Sequence, residues 1–133
     1  MHGEALAAVD WLHGHGHESV VLPQVPYEYW VVATRPKENN GLGLETSLAE
    51  QAITRWSTIF RLQLDERGIF RLWLELVTLH QVKGKLAHDA RLVAAMQRHS
   101  LSNILTFNTA DFVRFPGIQI YSPAEVLAGR IST

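Results

Sequence analysis

Two carboxylates in this chain sit in phase with apolar residues, where a charged group needs an explanation. Asp89 belongs to the segment AHDARLVAAM (residues 87–96), in which apolar residues follow it by three, four and seven positions. A helix that buries this apolar series directs the Asp89 carboxylate to the same face. Glu28 repeats the pattern, three residues after Val25 and four before Val32. Because an isolated buried carboxylate is strongly unfavourable, we expect a cation or hydrogen-bond donors beside each one.

A third acid completes a candidate cluster. Asp111 comes four residues after the apolar segment NILTF, which has the character of a short strand. The helices that carry Glu28 and Asp89 each follow a strand or a glycine-containing loop. In α/β folds such helix starts gather at the carboxyl edge of the sheet, where ligands bind. We therefore predict that Glu28, Asp89 and Asp111 form the catalytic cluster at that edge.

Three converging acids repel one another unless a cation lies between them, and a divalent metal is the usual solution. The chain has no cysteine, so the ligands must be oxygen or imidazole, and the hard cations Mg²⁺ or Mn²⁺ are favoured. Thr106 and Asn108 lie at the end of the NILTF strand and could add neutral oxygens. Such a metal keeps positions open for a phosphate oxygen and an attacking water, which is typical of phosphodiester hydrolysis.

Length and composition limit the protein class. The chain has 133 residues, 47% of them hydrophobic and 19% charged, which predicts one folded domain over residues 1–133. A net charge of -1 argues against the broad basic surface of non-specific DNA-binding proteins. No segment has the roughly 18 apolar residues of a membrane span, and the first residues do not resemble a secretion signal. A cytoplasmic protein without membrane contact is expected.

The elements that must position these residues alternate between helix and strand. Helices are predicted from about Leu6 to Leu12, over Gln24–Thr34, from Ser47 to about Ile59, from Ile69 to about His80, through AHDARLVAAM to near Ser100, and in SPAEVLAG. Ser47 and Glu50 have the spacing of a capping box. Short strands are predicted in SVVLP, FRLQL, NILTF and GIQIY, with NTADF a turn or short helix. This order predicts an α/β fold of three layers, with helices flanking a mostly parallel central sheet.

Three of these segments carry a resemblance to a known family. LPQVPYEYWVVATRP, AHDARLVAAM and LTFNTADFVRFPGIQIYSP resemble, in this order, three sequence blocks of PIN-domain proteins, most closely of VapC ribonuclease toxins. The resemblance implies a PIN-like domain with a metal-dependent endoribonuclease activity on RNA, a cognate antitoxin and a homodimer. It implies Glu28, Asp89 and the Asn108/Asp111 turn as the acidic cluster; Asn108 and Asp111 stay alternatives for the last ligand.

The chain departs from the family at its start. Family members begin with a strand that ends in an aspartate, and no such strand precedes the first predicted helix here. Asp10 lies within the helical stretch ALAAVDWL and does not replace it. The expectation is either that the true start of the protein is missing from this chain or that the strand has been lost. The alternative function is therefore a degenerate or truncated PIN domain that binds protein or RNA without cutting it.

Each of the predicted site residues also has an ordinary structural interpretation. Asp89 could simply interact with the dipole of its helix, Glu28 could pair with a nearby Arg35 or Lys37, and Asp111 could cap a turn. Arg35, Lys85 and Thr106 are predicted to bind substrate phosphates, although solvated surface charge explains the two cations equally well. The HGHGH segment (residues 13–17) has imidazoles suited to nickel or zinc, but a flexible loop opposes coordination through its ordering cost.

Overall fold

The structure is a computed structural model that describes residues 2–131. These residues form helices and short strands connected by loops. The helices are α1 (His2–Gly14), α2 (Gln24–Thr34), α3 (Thr46–Trp56), α4 (Gly68–Leu79), α5 (Leu86–Arg98) and α6 (Pro123–Leu127). The strands are β1 (Val20–Val21), β2 (Arg61–Leu62), β3 (Asn103–Leu105) and β4 (Gln119–Tyr121), with 3₁₀ helices at Lys37–Asn39 and Thr109–Phe112. Within residues 2–131, no helix has the length and apolar character of a membrane span.

The chain divides into two compact units. The first, here called the split unit, consists of the N-terminal segment through His17 and the chain from Glu66 onwards. The second, here called the inserted unit, is continuous from Glu18 to Asp65. The prediction of one domain over residues 1–133 stays a prediction.

The inserted unit combines one strand pair with one helix pair. β1 and β2 run parallel, with Val20 opposite Arg61, and α2 packs on α3. Ala33 of α2 and Ala49 of α3 have no exposed surface, and Tyr29 contacts the Trp56 ring at a centroid distance of 4.9 Å. Small buried alanines allow close helix approach, while the two rings fill the space beside them.

A tightly bonded loop ends α2. The last carbonyls of that helix accept backbone N–H groups from the chain that follows: Leu42 to Val32 at 2.9 Å, Leu44 to Ala33 at 2.8 Å, and Gly43 to Arg35 at 2.9 Å. Gly41 also donates to Pro36 at 3.0 Å. These bonds satisfy carbonyls that a helix end leaves without intrahelical partners, so the sequence RPKENNGLGL forms an ordered cap instead of an open loop.

The split unit has its core around α4 and α5, which pack together. α5 buries Ala90, Val93, Ala94, Ala95 and Met96. The Trp73 indole of α4 donates to the Ala87 carbonyl in the first turn of α5 at 2.8 Å. At the other end of the pair, Arg98 Nε donates to Glu66 Oε1 at 2.5 Å. These contacts hold the pair together at both ends of α5, so its first turn has a defined position.

Two further contacts complete the split unit. β3 and β4 run parallel, with Ile104 opposite Ile120. α1 packs against α6, and Ala8 and Val126 are buried. α6 begins with a capping box: the Ser122 hydroxyl accepts the Glu125 N–H at 3.1 Å, and the Glu125 carboxylate accepts the Ser122 N–H at 3.1 Å.

The element order confirms most of the sequence prediction. α2 has the predicted bounds, every predicted strand segment contains a strand, and NTADF contains the second 3₁₀ helix. The mixed α/β class with parallel strand pairs is therefore confirmed. The prediction of a capping box at Ser47 and Glu50 is wrong. α3 begins at Thr46, and its N-cap residue, Glu45, makes no side-chain capping bond.

The apolar series predicted for α2, Val25, Tyr29, Val32 and Ala33, is buried only in part. Gln24 and Ala33 are the buried residues of that helix, whereas Val25 and Val32 are each 39% exposed. Apolar residues lie on nearly all sides of α2, so the periodicity of the sequence did not determine which face of the helix is buried. Tertiary packing, which includes the contact of α2 with α3, decided which of these residues are covered.

Candidate functional site

Two of the three predicted acids lie on elements of the split unit that touch one another. Asp89 is in the first turn of α5 and half-buried. Asp111 lies in the second 3₁₀ helix and is also half-buried. α5 and this 3₁₀ helix are in contact. The sequence therefore identified two acids that folding brings onto neighbouring elements of one unit.

The connection from α5 to β3 is short. Only four residues separate Arg98 from Asn103, and within them Leu101 N–H bonds back to the Met96 carbonyl at 2.8 Å. With Ser100 at a φ of +59°, this bond turns the chain sharply at the end of α5. The second 3₁₀ helix begins beyond the carboxyl end of β3, as expected of a ligand-binding edge.

The turn after β3 is held by its own hydrogen bonds. Thr106 N–H donates to the Tyr121 carbonyl at 2.9 Å, which extends the β3–β4 ladder by one residue. The Thr106 hydroxyl accepts the Asn108 N–H at 3.0 Å, and the Asn108 carbonyl accepts the Asp111 N–H at 3.1 Å. The backbone groups of Asn108 are thus bonded while its side chain is exposed. The Asn108 amide oxygen and the Asp111 carboxylate are both on this fixed turn.

Glu28 belongs to the inserted unit and is exposed. Its Oε1 accepts a hydrogen bond from Gln24 Nε2 at 2.9 Å. Gln24 is only 6% exposed, which makes it a buried polar residue that the sequence prediction missed. Its position four residues before Glu28, on the same helix face, was the spacing that could have revealed it.

The predicted substrate contacts lie on both units. Lys85 is exposed and forms the N-cap of α5, where its carbonyl accepts the His88 N–H at 3.0 Å. Arg35 ends α2, and its Nη2 donates to the Asn40 carbonyl at 3.1 Å. Arg35 therefore stabilises the loop after α2, whatever else it binds.

The carboxylate oxygens of Asp89 and Asp111 suit a hard cation, but within the described residues the structure does not bring a complete set of metal ligands together. Across residues 2–131, no three His, Asp or Glu side chains approach closely enough to hold one ion. Magnesium is commonly held by one or two carboxylates with several retained waters, so Asp89 and Asp111 fit such an ion by type. The three-acid cluster stays a prediction.

Comparisons with protein-family models, with curated proteins and with solved structures give no match to this chain.

Proposed function

We propose that the chain is a PIN-like, VapC-type endoribonuclease in which Asp89 and Asp111 hold a Mg²⁺ or Mn²⁺ ion. The observation that carries the proposal is the packing of α5, which carries Asp89, against the second 3₁₀ helix, which carries Asp111 and follows β3; ligands of α/β folds bind at such strand ends. Glu28 enters the proposal from the sequence blocks. Each unit has a separate two-stranded parallel sheet in the described residues, and the three-layer PIN-like domain with one central sheet over residues 1–133 belongs to the proposal.

A bound metal would lower the pKa of a coordinated water and stabilise charge on the phosphate. The residues of the chain have separate tasks. Asp89 and Asp111 hold the cation, and the Asn108 amide oxygen is the neutral alternative ligand. Lys85 and the Thr106 hydroxyl bind phosphate oxygens of the RNA. In this proposal the enzyme acts in the cytoplasm as a homodimer and is held inactive by a cognate antitoxin.

Titration with Mn²⁺ tests the metal site directly. Calorimetry compares the wild type with Asp89→Asn and Asp111→Asn, which keep side-chain shape and remove charge. We expect each change to weaken Mn²⁺ binding by at least about tenfold, a loss of about 1.4 kcal/mol. Glu75→Gln is the matched control, because Glu75 is an exposed carboxylate on the neighbouring α4 and its loss leaves the binding unchanged. Identical heats for wild type and Asp89→Asn would remove the site.

Cleavage of a labelled single-stranded RNA in Mg²⁺ tests the activity. We expect the wild type to cut and Asp89→Asn to lose at least about a hundredfold in rate, the scale of a lost metal or general-base function. Glu28→Gln then decides whether the inserted unit contributes. A comparable loss supports the three-acid cluster, and an unchanged rate removes Glu28 from it.

The second candidate is a non-catalytic module that binds a protein. It is favoured by α4, where Phe70 and Leu74 lie one turn apart and are 67% and 48% exposed. Neighbouring exposed apolar side chains are typical of interaction surfaces. A wild type that binds no Mn²⁺ and cuts no RNA, yet sediments as a dimer that Phe70→Ser dissociates, would favour this candidate.

A further inference from the structure

Three histidines at alternate positions follow one another at the end of α1. His13, His15 and His17 all belong to the split unit, and His13 and His15 are exposed. Imidazole is a ligand for zinc, nickel and copper, whereas Mg²⁺ and Mn²⁺ prefer oxygen. The ligands of this segment are therefore imidazoles, which favour a different class of metal from the carboxylates of the acidic site.

The backbone of the segment is already ordered. His17 N–H donates to the Leu12 carbonyl at 3.0 Å, and Gly16 N–H donates to the His13 carbonyl at 3.2 Å. Gly16 has a φ of +83°, so the pattern is a Schellman motif with glycine at the left-handed position. The turn folds His17 back against the last turn of α1, where His13 lies. The entropic objection to metal binding by a flexible loop therefore applies only to the side chains.

His15 has the hydrogen bond that is typical of a metal-binding imidazole. Its Nδ1 lies 2.7 Å from the Trp11 carbonyl oxygen. Because a carbonyl oxygen only accepts, we assign the proton to Nδ1, which leaves the lone pair of Nε2 available. Metal-binding histidines almost always donate their second N–H to a carbonyl or carboxylate in this way, which fixes the ring orientation. The ring also stacks on Trp11, with centroids 3.6 Å apart.

We propose that His13, His15 and His17 bind one divalent ion of the zinc and nickel class, with His15 Nε2 as the anchor ligand. In the part of the chain that the structure describes, the three rings do not converge on one point. Binding therefore requires rotation of the His13 and His17 side chains, while the Schellman turn keeps the backbone in place. The site is independent of the proposed ribonuclease function.

Because the His15 ring stacks on Trp11, tryptophan fluorescence can report metal binding at His15. Ni²⁺ bound at His15 lies close to the indole and quenches its fluorescence, and Zn²⁺ calorimetry gives the affinity and stoichiometry. In an Asp89→Asn background, which removes the proposed acidic site, we expect one ion per chain, with quenching and heat both lost when His15→Ala is added. His17→Ala weakens binding by at least about tenfold, since even outer partners of metal ligands contribute tenfold or more. Trp11→Phe loses most of the quenching and keeps the Zn²⁺ heat.

Two control variants test whether Zn²⁺ binds at the three histidines or elsewhere in the protein. His88→Ala removes a histidine of α5, and Asp89→Asn removes an acid of the proposed ribonuclease site; both are expected to keep Zn²⁺ binding. Equal affinities for His15→Ala and the wild type would overturn the proposal. Loss of the Zn²⁺ heat in Asp89→Asn with retention in His15→Ala would also overturn it, because the ion would then bind at the acids.

Discussion

The close approach of Gly41 to the end of α2 makes a sharp test of the fold of the inserted unit. A Cβ at Gly41 would lie 1.9 Å from the Arg35 carbonyl oxygen and 2.4 Å from its carbon, whereas real Cβ contacts are essentially never below 3.0 Å. The obstacle is backbone, which a rotamer change cannot remove. Gly41→Ala must therefore move the loop by about 1 Å or more relative to the helix end.

The cost follows from the hydrogen bonds of that loop. A shift of this size stretches the bonds donated by Gly41, Leu42 and Gly43, which measure 2.9–3.0 Å. Each backbone bond contributes about 1 kcal/mol net, so their loss costs about 3 kcal/mol. Replacing glycine restricts the unfolded chain and returns about 0.4–1 kcal/mol. We expect a net loss of about 2–3 kcal/mol in the free energy of unfolding.

Urea denaturation followed by circular dichroism measures this loss, and hydrogen exchange of the Leu42 and Leu44 amides localises it. Gly3→Ala is the matched control, because Gly3 lies in α1 and no atom of the described residues comes within 4 Å of the position that an alanine methyl would take there. The control makes the same change in the unfolded chain, near the start of a helix where alanine is also favoured over glycine. A Gly41→Ala protein within about 0.5 kcal/mol of wild type, with unchanged exchange at both amides, would refute the reasoning.

Two further predictions concern the split unit. The hydrogen bond from Arg98, supported by the Gly68 N–H and opposed by burial, lowers the pKa of Glu66. Its folded-state pKa lies below the unfolded value, so its stabilisation is present above about pH 4.5 and is lost as the pH falls through the folded pKa. Thermal unfolding at several pH values should show Glu66→Gln less stable than wild type at pH 7, with the difference shrinking as the pH falls below about 4.5; a difference that stays constant with pH would contradict this assignment. Ser122→Ala breaks the capping box with Glu125 and should cost about 1 kcal/mol, whereas Ser122→Thr, measured by the same method, should keep most of the stability.

The sequence predicted elements better than it predicted their faces. The helix over Gln24–Thr34 was bounded correctly because Pro23 precedes it and Pro36 follows its end, and prolines act locally. Its buried face depends on α3, which no local pattern of α2 contains. Glu28 was therefore expected on the same buried face as the apolar residues of α2, but it is exposed in the structure. In α5, Val93 and Met96 of the predicted apolar series are buried and Leu92 is half-buried, but Ala94 and Ala95 between them are buried as well, so the helix is covered on more sides than the period predicted.

The same distinction applies to the candidate site. Asp89 and Asp111 were placed from strand and helix ends, and the sequence predicted that a short connection joins α5 to β3. The division into two units was not predictable, because no linker or change in composition marks Glu18 or Asp65. Gln24 was missed because a buried glutamine in an apolar helix has no pattern apart from its spacing to Glu28.

The packing of α1 on α6 has a consequence for how the chain folds during synthesis. α1 leaves the ribosome long before α6, the helix that it packs against. The inserted unit is continuous, so all its internal contacts are available as soon as Asp65 has emerged. A nascent chain of that length therefore carries a complete inserted unit and an α1 segment that lacks α6, the helix it packs against.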